Sequence, residues 1–210
     1  MINVVIADDH DVIREGVKRI LADTPDIRVV AEACDGQELL AKVRTKPCDV
    51  VVLDLSMSGR GGLEALKALK TEHPKLPVLV LTMHAESQYA VRVLKAGAAG
   101  YLHKAHVSAQ LVEAVRKVVG GGKYLTPATA DALAIDLGVD SEQPLHKRLS
   151  DREFQVLCLI GSGKTVSEIA KELSLSVQTI STYRAHILEK MGLENNAQLT
   201  HYALQHQLVE

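Results

Sequence analysis

The chain has 210 residues, enough for one large domain or two small ones, and its 47% hydrophobic content suits a globular protein with a real core. No apolar run approaches about 18 residues and no secretion signal opens the chain, so a membrane span and export are not expected. Three widely spaced cysteines (Cys34, Cys48, Cys158) read as free thiols in a reducing cytoplasm, and a formal net charge of −2 excludes a generally basic nucleic-acid binder.

Two patterns alternate over the first 120 residues. Short β-branched runs stand at 2–7 (INVVIA), 27–33 (IRVVAEA), 48–54 (CDVVVLD), 77–82 (PVLVLT) and 99–103 (AGYLH). Helix-period stripes lie between and after them, at 11–22 through Val12, Ile13, Val17, Ile20 and Leu21, at 62–72 through Leu63, Leu66 and Leu69, and at 107–119 through Val107, Leu111, Val112, Val115, Val118 and Val119. Strands alternating with helices predict right-handed βαβ units and an α/β fold with a five-strand parallel sheet. The middle strands are continuously apolar, as they must be when helices cover both faces.

Ligands of such sheets sit at the carboxyl ends of the strands. The first strand ends in Asp8 and Asp9, the third in Asp54 and the fourth in Thr82, and Lys104 follows the fifth. Two unit charges about 4 Å apart repel by about 4 kcal/mol at an effective dielectric of about 20. Carboxylates crowded in this way need a cation or raised pKa values, and a hard divalent ion, Mg²⁺, fits. With it an exposed Asp can attack a phosphoryl group, while Lys104 and the Thr82 hydroxyl hold phosphoryl oxygens. Singly, each residue has a plainer reading as a cap, a turn former or a surface group, and Asp11 is expected to cap the first helix. The combination in chain order is far more specific.

These segments resemble the receiver domain of two-component response regulators: ADDH the acidic pair, VLDLSMSG the phosphoacceptor segment, LTMH the switch hydroxyl, GYLHK the lysine strand. The resemblance covers residues 1 to about 120 and implies a flavodoxin-like domain. It makes Asp54 the phosphoacceptor, Asp8, Asp9 and Asp54 metal ligands with a backbone carbonyl from Ser56, and Thr82 with Tyr101 the switch pair. Ser58 and Ala105 stand where the family usually or often has Pro.

Gly120, Gly121 and Gly122 end the last helix of this region, and Pro127 can open a short new one. The polar stretch 138–147 reads as linker, so the expected organisation is a receiver domain at 1–121, a linker with a short helix at 122–147 and an all-α domain at 148–210. That last region holds six Lys and Arg against seven Asp and Glu, so DNA binding there depends on local placement of charge.

Gly163-Lys164-Thr165 looks like the tail of a phosphate-binding loop, but the required upstream glycine is Cys158 and no strand precedes it. Thr165-Val166-Ser167-Glu168 instead fits a capping box, as does Ser150-Asp151-Arg152-Glu153, and Ser176 is expected to cap a further helix at 177–191. Two helices joined by the short turn 174–176 predict a helix-turn-helix. On a helical wheel Val177, Ile180, Ile187, Leu188 and Met191 share one side of 177–191; Gln178, Ser181, Thr182, Ala185 and Glu189 share the other. The outer face is small and polar, able to approach base edges and hydrogen-bond to them. Thr179, Tyr183, His186 and Lys190 flank it within reach of phosphates, and Arg184 falls on the packed side as an expected ion-pair partner of Glu153. A plain bundle used for dimerisation shows the same periodicity.

The run from Leu149 to Gly192 resembles the LuxR-type DNA-binding domain of NarL/FixJ-type regulators, departing at Ser181 and Ala185, where relatives often carry Lys. The two resemblances together imply a phosphorylation-controlled transcription regulator with a sensor histidine kinase and promoter DNA as partners. It would be no enzyme apart from turnover at its own Asp54, and it would dimerise when phosphorylated, with the last helix, about 195–208, commonly the pairing element. Two alternatives stand beside this reading: a regulator that works without phosphorylation, and a phosphotransferase using an Asp nucleophile.

Overall fold

The structure, a computed structural model, describes residues 1–57, 61–83, 86–138 and 144–209. The chain divides into two compact units, Met1–Ala132 and Leu133–Glu210. That division falls inside the segment expected to be linker.

In the first unit β1 (Ile2–Ala7), β2 (Ile27–Ala33), β3 (Val50–Asp54), β4 (Val78–Thr82) and β5 (Gly100–His103) form one parallel sheet ordered β2-β1-β3-β4-β5. The helices α1 (Asp11–Ala22), α2 (Gly36–Thr45), α3 (Gly62–Glu72), α4 (Glu86–Lys95) and α5 (Val107–Val119) follow the strands in turn. This is the flavodoxin-like order, and its reversal between β1 and β3 opens a crevice at their carboxyl ends.

Side chains alternate across each strand. Val4, Ile6, Val50, Val52, Leu79 and Leu81 meet Val17 and Leu21 of α1 and Leu111 and Val115 of α5 in one cluster. The intervening residues, Val5, Val51, Leu53 and Val80, are buried as well, with α2 and α3 packed on each other. Each such side chain contributes about 1.5–3 kcal/mol of burial, and all of β3 and β4 is buried.

The helices at 11–22, 62–72 and 107–119 lie where their periodicity placed them. Asp11 does not cap α1. The cap position is His10, whose side chain makes no cap bond; its ring nitrogen lies against Asp8 and Asp9, and its amide donates to the Asp8 carboxylate at 2.8 Å. Asp11 is already inside the first turn, where its charge complements the helix dipole and pairs with Arg14. The helix α2 lacked a named stripe in the sequence; the Asp35 carboxylate caps it by accepting from the Gln37 and Glu38 amides. α3 starts over the end of β3 with no room to spare: a Cβ on Gly62 would stand 2.2 Å from the Asp54 carbonyl oxygen.

The helix α6 (Pro127–Gly138) opens on its proline. In the second unit a short 3-10 turn at Leu145–Arg148 precedes α7 (Asp151–Gly161), α8 (Val166–Glu172), α9 (Val177–Met191) and α10 (Asn196–Gln205). α7 is the hub, buried from Glu153 to Gly161 and packed on α8, α9 and α10. Among the described residues no helix is long and apolar enough to cross a membrane.

Candidate functional site

Parallel strands deliver their carboxyl ends to one edge, which brings Asp8, Asp54, Thr82 and Lys104 together from four parts of the chain. Asp8, Asp54 and Thr82 are almost wholly buried, at 2%, 1% and 0% exposure. The Lys104 ammonium lies 2.7 Å from Asp8 Oδ2 and 2.8 Å from Asp54 Oδ2. Burial pushes the Asp54 carboxyl above its ordinary pKa and Asp8 pushes the same way, against the pull of Lys104. Burial also works against the Lys104 ammonium, but the two carboxylates outweigh it and hold its pKa above the ordinary value.

The loops around this edge are tied down by backbone bonds. The Ser56 amide donates to Asp54 Oδ1 at 3.2 Å, so Ser56 turns on the phosphoacceptor candidate itself. Arg14 Nη1 donates to the Asp8 carbonyl at 2.7 Å. His103 Nδ1 accepts from the Ala105 amide at 3.2 Å, which leaves the proton on Nε2, 3.2 Å from the Met83 carbonyl it donates to. Among the described residues every peptide is trans, including that between Lys104 and Ala105. Tyr101, one of the switch candidates, is fully buried in β5, paired in register with Val80. Ser58 lies outside the described residues.

Asp8, Asp9, His10 and Asp54 each present a donor atom, and all four atoms lie within 4.8 Å of one another. Three of the donors are carboxylate oxygens, the ligand type a hard dication takes, and one lysine cannot neutralise three carboxylates. The residues present therefore fit Mg²⁺. His10, Arg14 and His103 were missed in the sequence as parts of this edge, although His10 directly follows the acidic pair.

In the second unit both expected capping boxes are present. Thr165 Oγ1 accepts from the Glu168 amide at 3.3 Å, and Glu168 Oε2 accepts from the Thr165 amide at 2.8 Å. Gly163 turns the chain with φ +83° just before, so the phosphate-loop look-alike is a turn and a helix cap. Ser176 caps α9 by accepting from the Thr179 amide at 3.0 Å.

On α9, Ile180, Ile187 and Met191 are buried, while Gln178, Thr182, Ala185, His186 and Glu189 are exposed and Thr179, Ser181 and Tyr183 are half-buried. Val177, assigned to the packed side, is half exposed at the first turn. The Ser181 and Thr182 hydroxyls donate to the Val177 and Gln178 carbonyls at 2.9 and 3.0 Å, which turns their lone pairs outward as acceptors.

The expected Arg184–Glu153 pair is not there. Arg184 Nε donates to Asn196 Oδ1 on α10, and Lys190 Nζ holds both Glu153 oxygens at 2.8 and 2.7 Å. The cause is helical phase: His186 and Lys190 share the stripe that faces Glu153, and Arg184 sits about 200° around the helix from His186. Burial resists ionisation of Glu153, but Lys190 and Ser150 hold its pKa below the ordinary value.

Two family models match this chain: the response regulator receiver domain over residues 4–116, and the bacterial regulatory proteins of the luxR family over residues 147–203. The chain is similar to the response regulator UvrY of Escherichia coli K12, with 37% identity over 99% of this chain and 96% of that protein. It is likewise similar to the response regulator GacA of Pseudomonas viridiflava, with 39% identity over 100% of this chain and 99% of that protein. Among solved structures it resembles RcsB of Salmonella enterica serovar Typhimurium bound to promoter rprA in the presence of the phosphomimetic BeF3−. There the TM-score is 0.63 and the identity 29%, over 96% of this chain and 97% of that one.

Proposed function

The chain belongs to the bacterial response regulators that join a receiver domain to a LuxR-type DNA-binding domain, and from that premise we propose that phosphorylation of Asp54 controls its grip on promoter DNA. The observation that carries this reading is the buried Asp54 carboxylate, 2.8 Å from Lys104 and sharing that ammonium with Asp8. A carboxylate oxygen of Asp54 attacks the phosphorus of a phosphorylated sensor histidine kinase or a small acyl phosphate. The new O–P bond forms as the bond to the donor's nitrogen or oxygen breaks, and the electron pair leaves with the donor.

Asp8, Asp9, Asp54 and the Ser56 backbone carbonyl would hold Mg²⁺, which would supply positive charge to offset that of the phosphoryl group. Lys104, held 2.8 Å from Asp54, adds its own positive charge there, and the Thr82 hydroxyl donates to a phosphoryl oxygen. The phosphoryl group adds about −1.5 to −2 of charge. Drawn toward it, Thr82 vacates space in the buried layer that Tyr101 occupies, and the equilibrium between two packings shifts. Turnover is limited to the chain's own phospho-aspartate.

Output is by α9 in the major groove. Gln178, Ser181, Thr182 and Ala185 meet base edges, and Thr179, Tyr183, His186 and Lys190 stand beside the phosphates. Two copies bind half-sites about one DNA turn apart as a homodimer. Acetyl phosphate with Mg²⁺ is expected to label the parent chain and raise its affinity for promoter DNA, with both effects absent in Asp54→Asn. Undiminished labelling of Asp54→Asn would overturn the assignment.

A further inference from the structure

We infer that the 3-10 turn at Leu145–Arg148 is a second DNA-contacting element, which grips the phosphate wall of the groove beside α9 through Lys147 and Arg148. The inference rests on the preceding assignment of α9 to the major groove and adds to it a surface outside the helix-turn-helix. Positive charge in this unit is concentrated at the turn. Lys147, Arg148 and Arg152 stand against Asp151 over residues 144–152, whereas residues 153–210 hold four Lys and Arg against six Asp and Glu. A 3-10 helix has three residues per turn, so His146 and Leu149 point inward together and the two residues between them stay outside. His146 and Leu149 are 2% and 5% exposed, while Lys147 and Arg148 are exposed.

The turn is anchored, and it lies against α9. The Tyr202 hydroxyl of α10 accepts from the His146 amide at 3.3 Å and lies 3.0 Å from its Nδ1. The Phe154 and His206 rings stand 5.9 and 5.8 Å from the same imidazole. The turn packs on α9 and leads directly into α7. The first turn of α7 meets the C-terminal half of α9, where Glu153 takes Lys190 and His186 Nδ1 lies 3.9 Å from Glu153 Oε1. His186 and Lys190 mark the phosphate flank of α9, so the turn sits on that flank. A helix with its side chains is about 10–12 Å across and the major groove about 12 Å wide. An element beside the recognition helix therefore meets the wall of the groove, which is phosphate and sugar. Arg148 can take two phosphoryl oxygens through its planar guanidinium, and Lys147 adds a point charge. With Lys190 neutralised by Glu153, these two side chains supply the charge that α9 lacks.

The full-length parent chain, treated with acetyl phosphate and Mg²⁺, is used to select a duplex from a random-sequence pool. Binding to that duplex and to an unselected duplex of equal length is followed by fluorescence anisotropy over a range of KCl concentrations. The parent is compared with Lys147→Gln, Arg148→Gln, the double variant and the charge-keeping Lys147→Arg, with folding checked by circular dichroism. Each neutral single variant is expected to reduce the slope of log affinity against log salt by about 0.9 per bound copy, and the double variant by about 1.8. Lys147→Arg is expected to keep the parent slope. Affinity should fall by the same factor on both duplexes, because phosphates carry no sequence. A slope that moves by less than about 0.4 per copy in the double variant would overturn the role of the turn. So would a change of more than about tenfold in the preference between the duplexes, which marks a reader of bases. If the parent selects no duplex, the DNA-binding reading and this surface fall together. Selective binding by the parent with an unmoved slope in the double variant sinks this surface alone.

Discussion

Glu153 shows how much one side chain can carry. It closes the capping box of α7 through Ser150 and it neutralises Lys190 of α9, with only 5% of its side chain exposed. A cap is worth about 1 kcal/mol and a partly exposed ion pair up to about 1 kcal/mol. Glu153→Ala is therefore expected to cost about 1–3 kcal/mol of stability at neutral pH, read by denaturant unfolding. The sign of its pH dependence follows from its lowered pKa. The contribution is fully present above the ordinary value of 4.5 and is lost as pH falls through the lower folded value. Parent and variant should converge on acidification below 4.5; a gap that stays constant into that range would show that the ion pair contributes nothing.

At the scale of elements, α3 starts hard against the end of β3, beside Asp54, the proposed phosphoacceptor. Gly62 donates its amide to the Leu55 carbonyl at 3.2 Å and leaves no space for a Cβ beside the Asp54 carbonyl. Backbone atoms cannot rotate away as a flexible side chain can. Gly62→Ala is expected to cost about 1–3 kcal/mol or more by overpacking and to slow labelling of Asp54 by acetyl phosphate, because strand end and helix must separate. Labelling at the parent rate would show that the loop tolerates the displacement. The helix-turn-helix has a different economy: each of its helices starts on a hydroxyl cap, so α8 and α9 are specified by their own first turns.

For the whole molecule the question is how a chain of net charge −2 holds DNA. On α9, Lys190 is held by Glu153 and Arg184 donates to Asn196, so the proposed contact of this helix with DNA would run chiefly through hydroxyl, amide and apolar groups. Counterion release sets a slope of about −0.9 per neutralised phosphate in log affinity against log salt. A shallow slope, on the order of −2 to −4 for a dimer, is expected in fluorescence anisotropy with promoter DNA. A slope near −10 would mean that a large basic surface had been overlooked. Phosphorylation is expected to tighten binding by about 5–150-fold through a coupling of about 1–3 kcal/mol, with the salt slope little changed.

What the sequence determined by itself is whatever depends on neighbours within one or two turns. The apolar periods of α1, α3, α5 and α9, the two capping boxes and the strand–helix alternation are local, and the side chains that encode them lie three or four residues apart. The strand-end acids and Lys104 were also legible, because parallel topology sends every carboxyl end to one edge. Partner choice across the fold was not. Arg184 and Lys190 are both cations on one helix, and only the phase of α9 against α7 decided that Lys190 meets Glu153, 37 residues away. The same holds for His10 and for Arg14 on the Asp8 carbonyl: periodicity says which face a residue occupies, but a hydrogen bond or an ion pair is decided by distances of a few tenths of an ångström, which exist only once separate elements have packed.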